Sequence, residues 1–126
     1  MNNNSLTIRK VKLSDLKNIQ KVHNEVIQWS KQFDPVIDIN YSYSKKGVKY
    51  LIKSIENKNI FKVVAEIDKK VIGYLFGGKF TYDYRKVIYG EIQYMGVISE
   101  YRGKGIGTKL VEEFKKWCVK KGYNWL

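Results

Sequence analysis

The residues best suited to chemistry run from Arg102 to Lys109, Arg-Gly-Lys-Gly-Ile-Gly-Thr-Lys. Three glycines and four side chains that carry charge or a hydroxyl precede an apolar helical repeat. A glycine-rich turn that opens a helix leaves backbone N–H groups unpaired, and the helix dipole adds partial positive charge there. Glycine lets that backbone approach a phosphate without a Cβ in the way. Arg102, Lys104 and Lys109 add full charges. The spacing excludes two phosphate motifs. A P-loop needs Gly-Lys-Ser/Thr after a four-residue gap from its first glycine. A dinucleotide loop needs its third glycine one residue later than Gly107 and normally follows a domain's first strand. The pattern that fits is Arg/Gln-x-x-Gly-x-Gly/Ala, as Arg102-x-x-Gly105-x-Gly107.

Other reactive residue types are sparse. His23 is the one histidine and Cys118 the one cysteine, so a disulfide framework and a multi-histidine or multi-cysteine metal centre are excluded. Both sit on apolar helical stripes, where packing is the expected role.

The elements that must position the turn follow from hydrophobic periodicity. Leu6-Thr7-Ile8 alternates and predicts a short first strand. Ser14 is placed to cap a helix over 14–29, with Asp15 in its first turn. Leu16, Ile19, Val22, His23, Val26 and Ile27 form that helix's apolar stripe. Pro35 breaks the chain and makes 30–42 a connection. Val48, Leu51, Ile52 and Ile55 mark a second helix over 43–57. Residues 60–67 and 71–80 read as a hairpin around Asp68-Lys69-Lys70. Gly73, Gly77 and Gly78 in its second arm predict a bulge or a close backbone approach. A third strand spans 87–98. The helix over 104–121 carries Ile106, Leu110, Val111, Phe114, Trp117 and Cys118 on one stripe, and Gly122 ends it. Tyr123–Leu126 opens another strand. The order β-α-α-β-β-β-α-β predicts a single α/β (α+β) domain over 1–126, a mixed central sheet flanked by helices.

Composition sets the outer bounds. A 126-residue chain with 44% hydrophobic residues holds one domain with a real core. No apolar run approaches the ~20 residues that span a bilayer, so no membrane partner is expected. Met1-Asn2-Asn3-Asn4-Ser5 lacks the features of a secretory leader, and a cytoplasmic location is the resulting expectation. The net charge of +12 favours anionic ligands. It comes from 21 lysines and only three arginines, which argues against sequence-specific nucleic-acid reading.

Met95–Leu110, with the strand before it and the helix after it, resembles the GNAT (Gcn5-related N-acetyltransferase) superfamily. The motif covers residues 87–121 and the element order nearly the whole chain. A typical member continues with a helix and two more strands. The chain instead stops where a strand has begun. An incomplete sequence, a shortened domain, and a homodimer in which a second chain completes the sheet all account for that end.

The resemblance implies acetyl-CoA as co-substrate, no metal, and transfer of the acetyl group to a primary amine by direct attack in a ternary complex. Backbone groups near Met95 and Val97 would pair with the pantetheine. N–H groups of Arg102, Gly103, Lys104, Gly105, Ile106, Gly107 and Thr108 would hold the pyrophosphate. Many members carry a glutamate, acting through water, where this chain has Gln93, which takes no proton. Glu91, two residues earlier and on the same strand face, is the candidate base if burial raises its pKa. Strand parity puts Tyr94 on the opposite face, Tyr101 is expected to pack, and neither is assigned as the acid. Gly96 is considered as a widening of the acyl slot. Trp29, Phe33 and Tyr41 are the expected acceptor-binding residues, with Asp34 and Asp38 available to attract a cation. The acceptor is a small-molecule, peptide or protein amine. The alternatives are a CoA-binding module with impaired catalysis, which Gln93 favours, and a basic nucleic-acid-binding protein.

Overall fold

The computed structural model describes residues 6–125. Met1–Ser5, read above as lacking the features of a secretory leader, and Leu126 lie outside them. Five strands form one sheet in the order β1-β2-β3-β4-β5: β1 (Thr7–Lys10), β2 (Phe61–Ile67), β3 (Lys70–Thr81), β4 (Ile88–Val97) and β5 (Asn124–Trp125). The first four pair antiparallel, and β5 runs parallel to β4. Three helices cover it: α1 (Leu16–Ser30), α2 (Lys45–Glu56) and α3 (Ile106–Lys121). The mixed sheet flanked by helices is the fold expected from the element order.

The two faces of the sheet make two cores. On one, Ile19 and Val22 of α1 and Ile55 of α2 pack with Val64, Tyr74 and Phe76. On the other, Ile106, Leu110, Phe114 and Cys118 of α3 pack with Val63, Ala65, Ile72 and Leu75. Val63/Val64 and Leu75/Phe76 divide between the cores by the period-two alternation of a strand.

Local chemistry fixes the ends. The β2–β3 turn has only Asp68 and Lys69 between the paired Ile67 and Lys70, both at positive φ (50° and 66°), the backbone of a tight two-residue hairpin. Ser44 caps α2 by accepting Gly47 N–H at 3.0 Å. Ser14 does not cap α1. Residues 13–15 form a 3-10 turn instead, and Asp15 accepts Lys12 N–H at 2.8 Å. The same carboxylate is held bidentately by Arg9, at 2.8 and 2.9 Å. Arg9 also bonds Glu66, so one guanidinium joins β1, β2 and the start of α1.

Candidate functional site

The β4–α3 connection has an open N-terminal helical turn. Gly103 and Gly105 take left-handed backbone, φ +76° and +80°, which disfavours a side chain. A Cβ built on either would meet nothing within 4 Å, so the turn presents bare backbone to open space. The first helical bond of α3 is Lys109 N–H to Gly105 O at 3.1 Å. The N–H groups of Ile106, Gly107 and Thr108 therefore have no intrahelical acceptor. Lys104 reaches back over the ring of Tyr101, 5.7 Å from its centroid, and Tyr101 packs into the α3 core.

Helix α1 holds this turn from the side. The Glu25 carboxylate accepts Ser99 N–H at 2.7 Å. Arg102 donates from Nε to Val97 O at 2.9 Å, and its guanidinium lies 5.4 Å from the centroid of Trp29. The Arg102 side chain has no other partner among the described residues, so its terminal nitrogens remain open to an anion, but its backbone N–H, expected above to hold the pyrophosphate, is bonded to Ser99 O at 3.1 Å.

Among the described residues β5 pairs only with Tyr89 and Gly90, and residues 91–97 of β4 have a strand on the β3 side alone. Phe76 pairs with Tyr94 and Gly77 with Ile92, so Gln93 is an extra residue in β4. This bulge overturns the parity expected for Tyr94. Ile92 and Met95 both pack on the α3 face. Tyr94 packs on the α1/α2 face. Gln93 lies on that face too, because its amide is the nearest group to a Cβ built on Gly78, 3.0 Å away. Glu91, half-buried, pairs with Gly78 and shares the face. The bulge thus brings Glu91, Gln93 and Tyr94 to one side of the sheet.

Tyr94 faces a tyrosine-lined cluster around His23. His23 Nδ1 lies 2.7 Å from Ser42 Oγ. Its ring meets Tyr74 and Tyr94 edge-on at 6.4 and 6.5 Å, and Tyr50 meets Tyr94 at 5.3 Å. These residues enclose a cavity of about 20 Å³, the size of one water. Burial lowers the His23 pKa and raises that of Tyr74, so both are held neutral near pH 7. The Tyr94 hydroxyl is buried with no protein partner.

The three expected acceptor residues are placed in two groups. Trp29 and Phe33 contact each other at 5.1 Å on the Arg102 side, whereas Tyr41 lines the His23 cavity. Asp34 and Asp38 accept the N–H groups of Val36 and Asn40, which shapes the connection between α1 and α2. Gly96 does not widen an acyl slot. Its missing Cβ makes room for Tyr74 and Val26, at 3.0 and 3.1 Å, and so for α1 against β4. Cys118 is buried and burial raises its thiol pKa, which suits packing and not nucleophilic chemistry. Sequence reasoning did not find the Glu25–Ser99 and Trp29–Arg102 contacts, because nothing in the spacing shows that the end of α1 reaches the β4–α3 turn.

Among the described residues no group of three or more His, Cys, Asp or Glu could hold a metal, and no helix is long and apolar enough to cross a membrane.

Comparison with known proteins bears on the same region. A family profile described as the acetyltransferase (GNAT) family matches residues 23–126. An acetyltransferase from Vibrio fischeri superposes with a TM-score of 0.73 at 20% identity, covering 94% of this chain and 90% of that one. A PaiA N-acetyltransferase from Thermoplasma acidophilum, in complex with coenzyme A, gives 0.71 at 25% identity over 94% and 74%. An aminoglycoside acetyltransferase from an uncultured soil metagenomic sample, in complex with sisomicin, gives 0.66 at 21% identity over 97% and 75%. No significant match is found among curated protein sequences.

Proposed function

The chain belongs to the acetyltransferase (GNAT) family and is an acyltransferase, and from that premise we propose that it moves an acetyl group from acetyl-CoA to a primary amine by direct attack in a ternary complex. The observation that carries the reading is the left-handed Gly103/Gly105 turn at the N-terminus of α3, with Arg102 fixed beside it. Bare backbone, unpaired N–H groups and an open guanidinium fork suit a pyrophosphate. The β4 backbone near Met95 and Val97, on the side away from β3, suits the amides of an extended pantetheine arm.

The thioester supplies an activated acetyl group. The protein's task is then to orient it, to donate a hydrogen bond to the carbonyl oxygen as charge develops there, and to take the proton of the attacking amine. A β4 backbone N–H beyond the bulge, at Met95 or Val97, is the proposed oxyanion donor. Glu91 is the proposed base, acting through water on the face it shares with Gln93 and Tyr94. The acceptor is a small amine or an amine on a peptide. The net charge of +12 disfavours a polycation such as an aminoglycoside at long range.

A thermal melt with saturating acetyl-CoA tests the cofactor. At about 100 times Kd, binding adds ~2.7 kcal/mol, or about 10 °C for a domain of this size. The shift should vanish in Arg102→Ala/Gly105→Asp and be absent with ATP. No shift with acetyl-CoA would sink the reading. An amine screen that follows release of the CoA thiol then tests turnover. Full activity in Glu91→Gln would remove Glu91 from the mechanism. Binding without turnover across the panel would instead support the module with impaired catalysis, the reading that Gln93 favours.

A further inference from the structure

Trp29 is an exposed tryptophan at the end of α1, 52% accessible, in the segment where sequence reasoning expected acceptor contacts. Its observed partner lies elsewhere. The Arg102 guanidinium sits 5.4 Å from its ring centroid, within reach of a cation–π contact. Arg102 is simultaneously tied through Nε to Val97 O. One turn earlier on α1, Glu25 fixes Ser99 N–H, so the helix holds both ends of the segment from Ser99 to Arg102. An arginine held at Nε and against a ring has fewer rotamers left to lose when a ligand arrives. Its two terminal nitrogens take part in no hydrogen bond among the described residues and remain a planar fork of donors.

We propose that Trp29 is a positioning residue of the anion-binding turn, holding the Arg102 fork ready for the pyrophosphate of acetyl-CoA, and that it takes no part in acceptor binding. The proposal rests on the acetyl-CoA reading for the identity of the anion, but the contact itself is present without any ligand. Phe33, 71% accessible, meets the Trp29 ring edge-on at 5.1 Å.

A double-mutant cycle with two readouts tests it. Acetyl-CoA affinity by calorimetry should weaken about two- to five-fold in Trp29→Ala, the range of an exposed cation–π contact. Trp29→Phe should recover most of that loss. In an Arg102→Ala background, Trp29→Ala should cost nothing further, because the residue acts through Arg102. KM for acetyl-CoA should rise in Trp29→Ala while KM for the amine stays unchanged. An equal loss in both backgrounds, or a rise confined to the amine KM, overturns the proposal. The second readout needs no ligand. Arg102→Ala should alter tryptophan emission in the wild-type background and leave it unaltered in Trp29→Phe, which isolates Trp29 from Trp117 and Trp125. An identical change in both backgrounds, or none, overturns the contact. A wild-type protein that binds no acetyl-CoA would sink the functional reading, while the emission comparison still decides whether Trp29 holds Arg102.

Discussion

The imidazole of His23 is hydrogen-bonded through Nδ1 to the Ser42 hydroxyl, 2.7 Å away, beside a small cavity walled by four tyrosines, Gly47 and Leu51. The titratable groups lining the cavity are Tyr41, next to Ser42, Tyr50 on α2, Tyr74 on β3 and Tyr94 on β4. None of these neighbours carries a charge near pH 7 that would compensate an imidazolium.

Stability should therefore depend on pH through His23. Burial puts its folded pKa below the ordinary value near 6.5. Between those two values the unfolded chain binds a proton that the folded chain refuses, so acid favours unfolding. The stability is fully present above about pH 6.5 and is lost as pH falls through the folded pKa. Melting temperatures at pH 7.5 and pH 5 should drop more in the wild type than in His23→Gln. Equal drops would show that His23 does not govern this window.

A second acid-sensitive element acts at lower pH. The Arg9 guanidinium holds the buried Asp15 carboxyl below the usual carboxylate range, and Lys12 N–H adds a further bond. Because the folded pKa is depressed, this contribution is present above about pH 4 and fades as pH falls below it. Asp15→Asn breaks the bidentate pair and leaves the Arg9 fork half-satisfied beside Glu66. The expected cost at pH 7 is about 1–3 kcal/mol, read from urea unfolding. It should shrink toward pH 3, and a cost that stays constant with pH would refute the electrostatic account.

How much of this could be read from sequence depended on whether the cause was local. Hydrophobic period and turn chemistry placed every element within a few residues, and the Arg102–Gly107 turn with its helix was found where the motif put it. The face of Tyr94 was misjudged because the extra residue, Gln93, lies in β4, whereas the glycines that signal an irregularity there, Gly77 and Gly78, lie opposite it in β3. One extra residue in β4 reverses every parity argument beyond it. The contact between Trp29 and Arg102 was not foreseen for a related reason. That contact depends on how closely α1 approaches β4, a long-range packing relation in which Val26 of α1 lies against Gly96, where a Cβ would come within 3.1 Å of it.

Close packing also explains Gly90. A Cβ there would lie 2.2 Å from Cys118 Sγ. Gly90→Ala should cost about 1–3 kcal/mol by overpacking the α3 face. Cys118→Ala removes that sulfur, so the double variant should be more stable than the sum of the two single losses predicts. Strict additivity in chemical denaturation would show that the clash is relieved elsewhere.

The two left-handed ends of α3 offer a controlled test of the anion turn. Gly105 precedes the helix at φ +80° and Gly122 follows it at φ +76°, and a Cβ at either meets nothing within 4 Å. An alanine at either position carries the same kind of backbone strain, roughly 1–2 kcal/mol, without a steric clash. The two variants should therefore lose similar stability in urea. They should differ in ligand binding. Gly105→Ala disturbs the fan of N–H groups from Ile106 to Thr108 and should weaken acetyl-CoA binding about ten-fold, the equivalent of ~1.4 kcal/mol. Gly122→Ala, at the far end of the helix, should leave it unchanged. Equal affinities in the two variants would mean that the backbone at Gly105 does not contact the ligand.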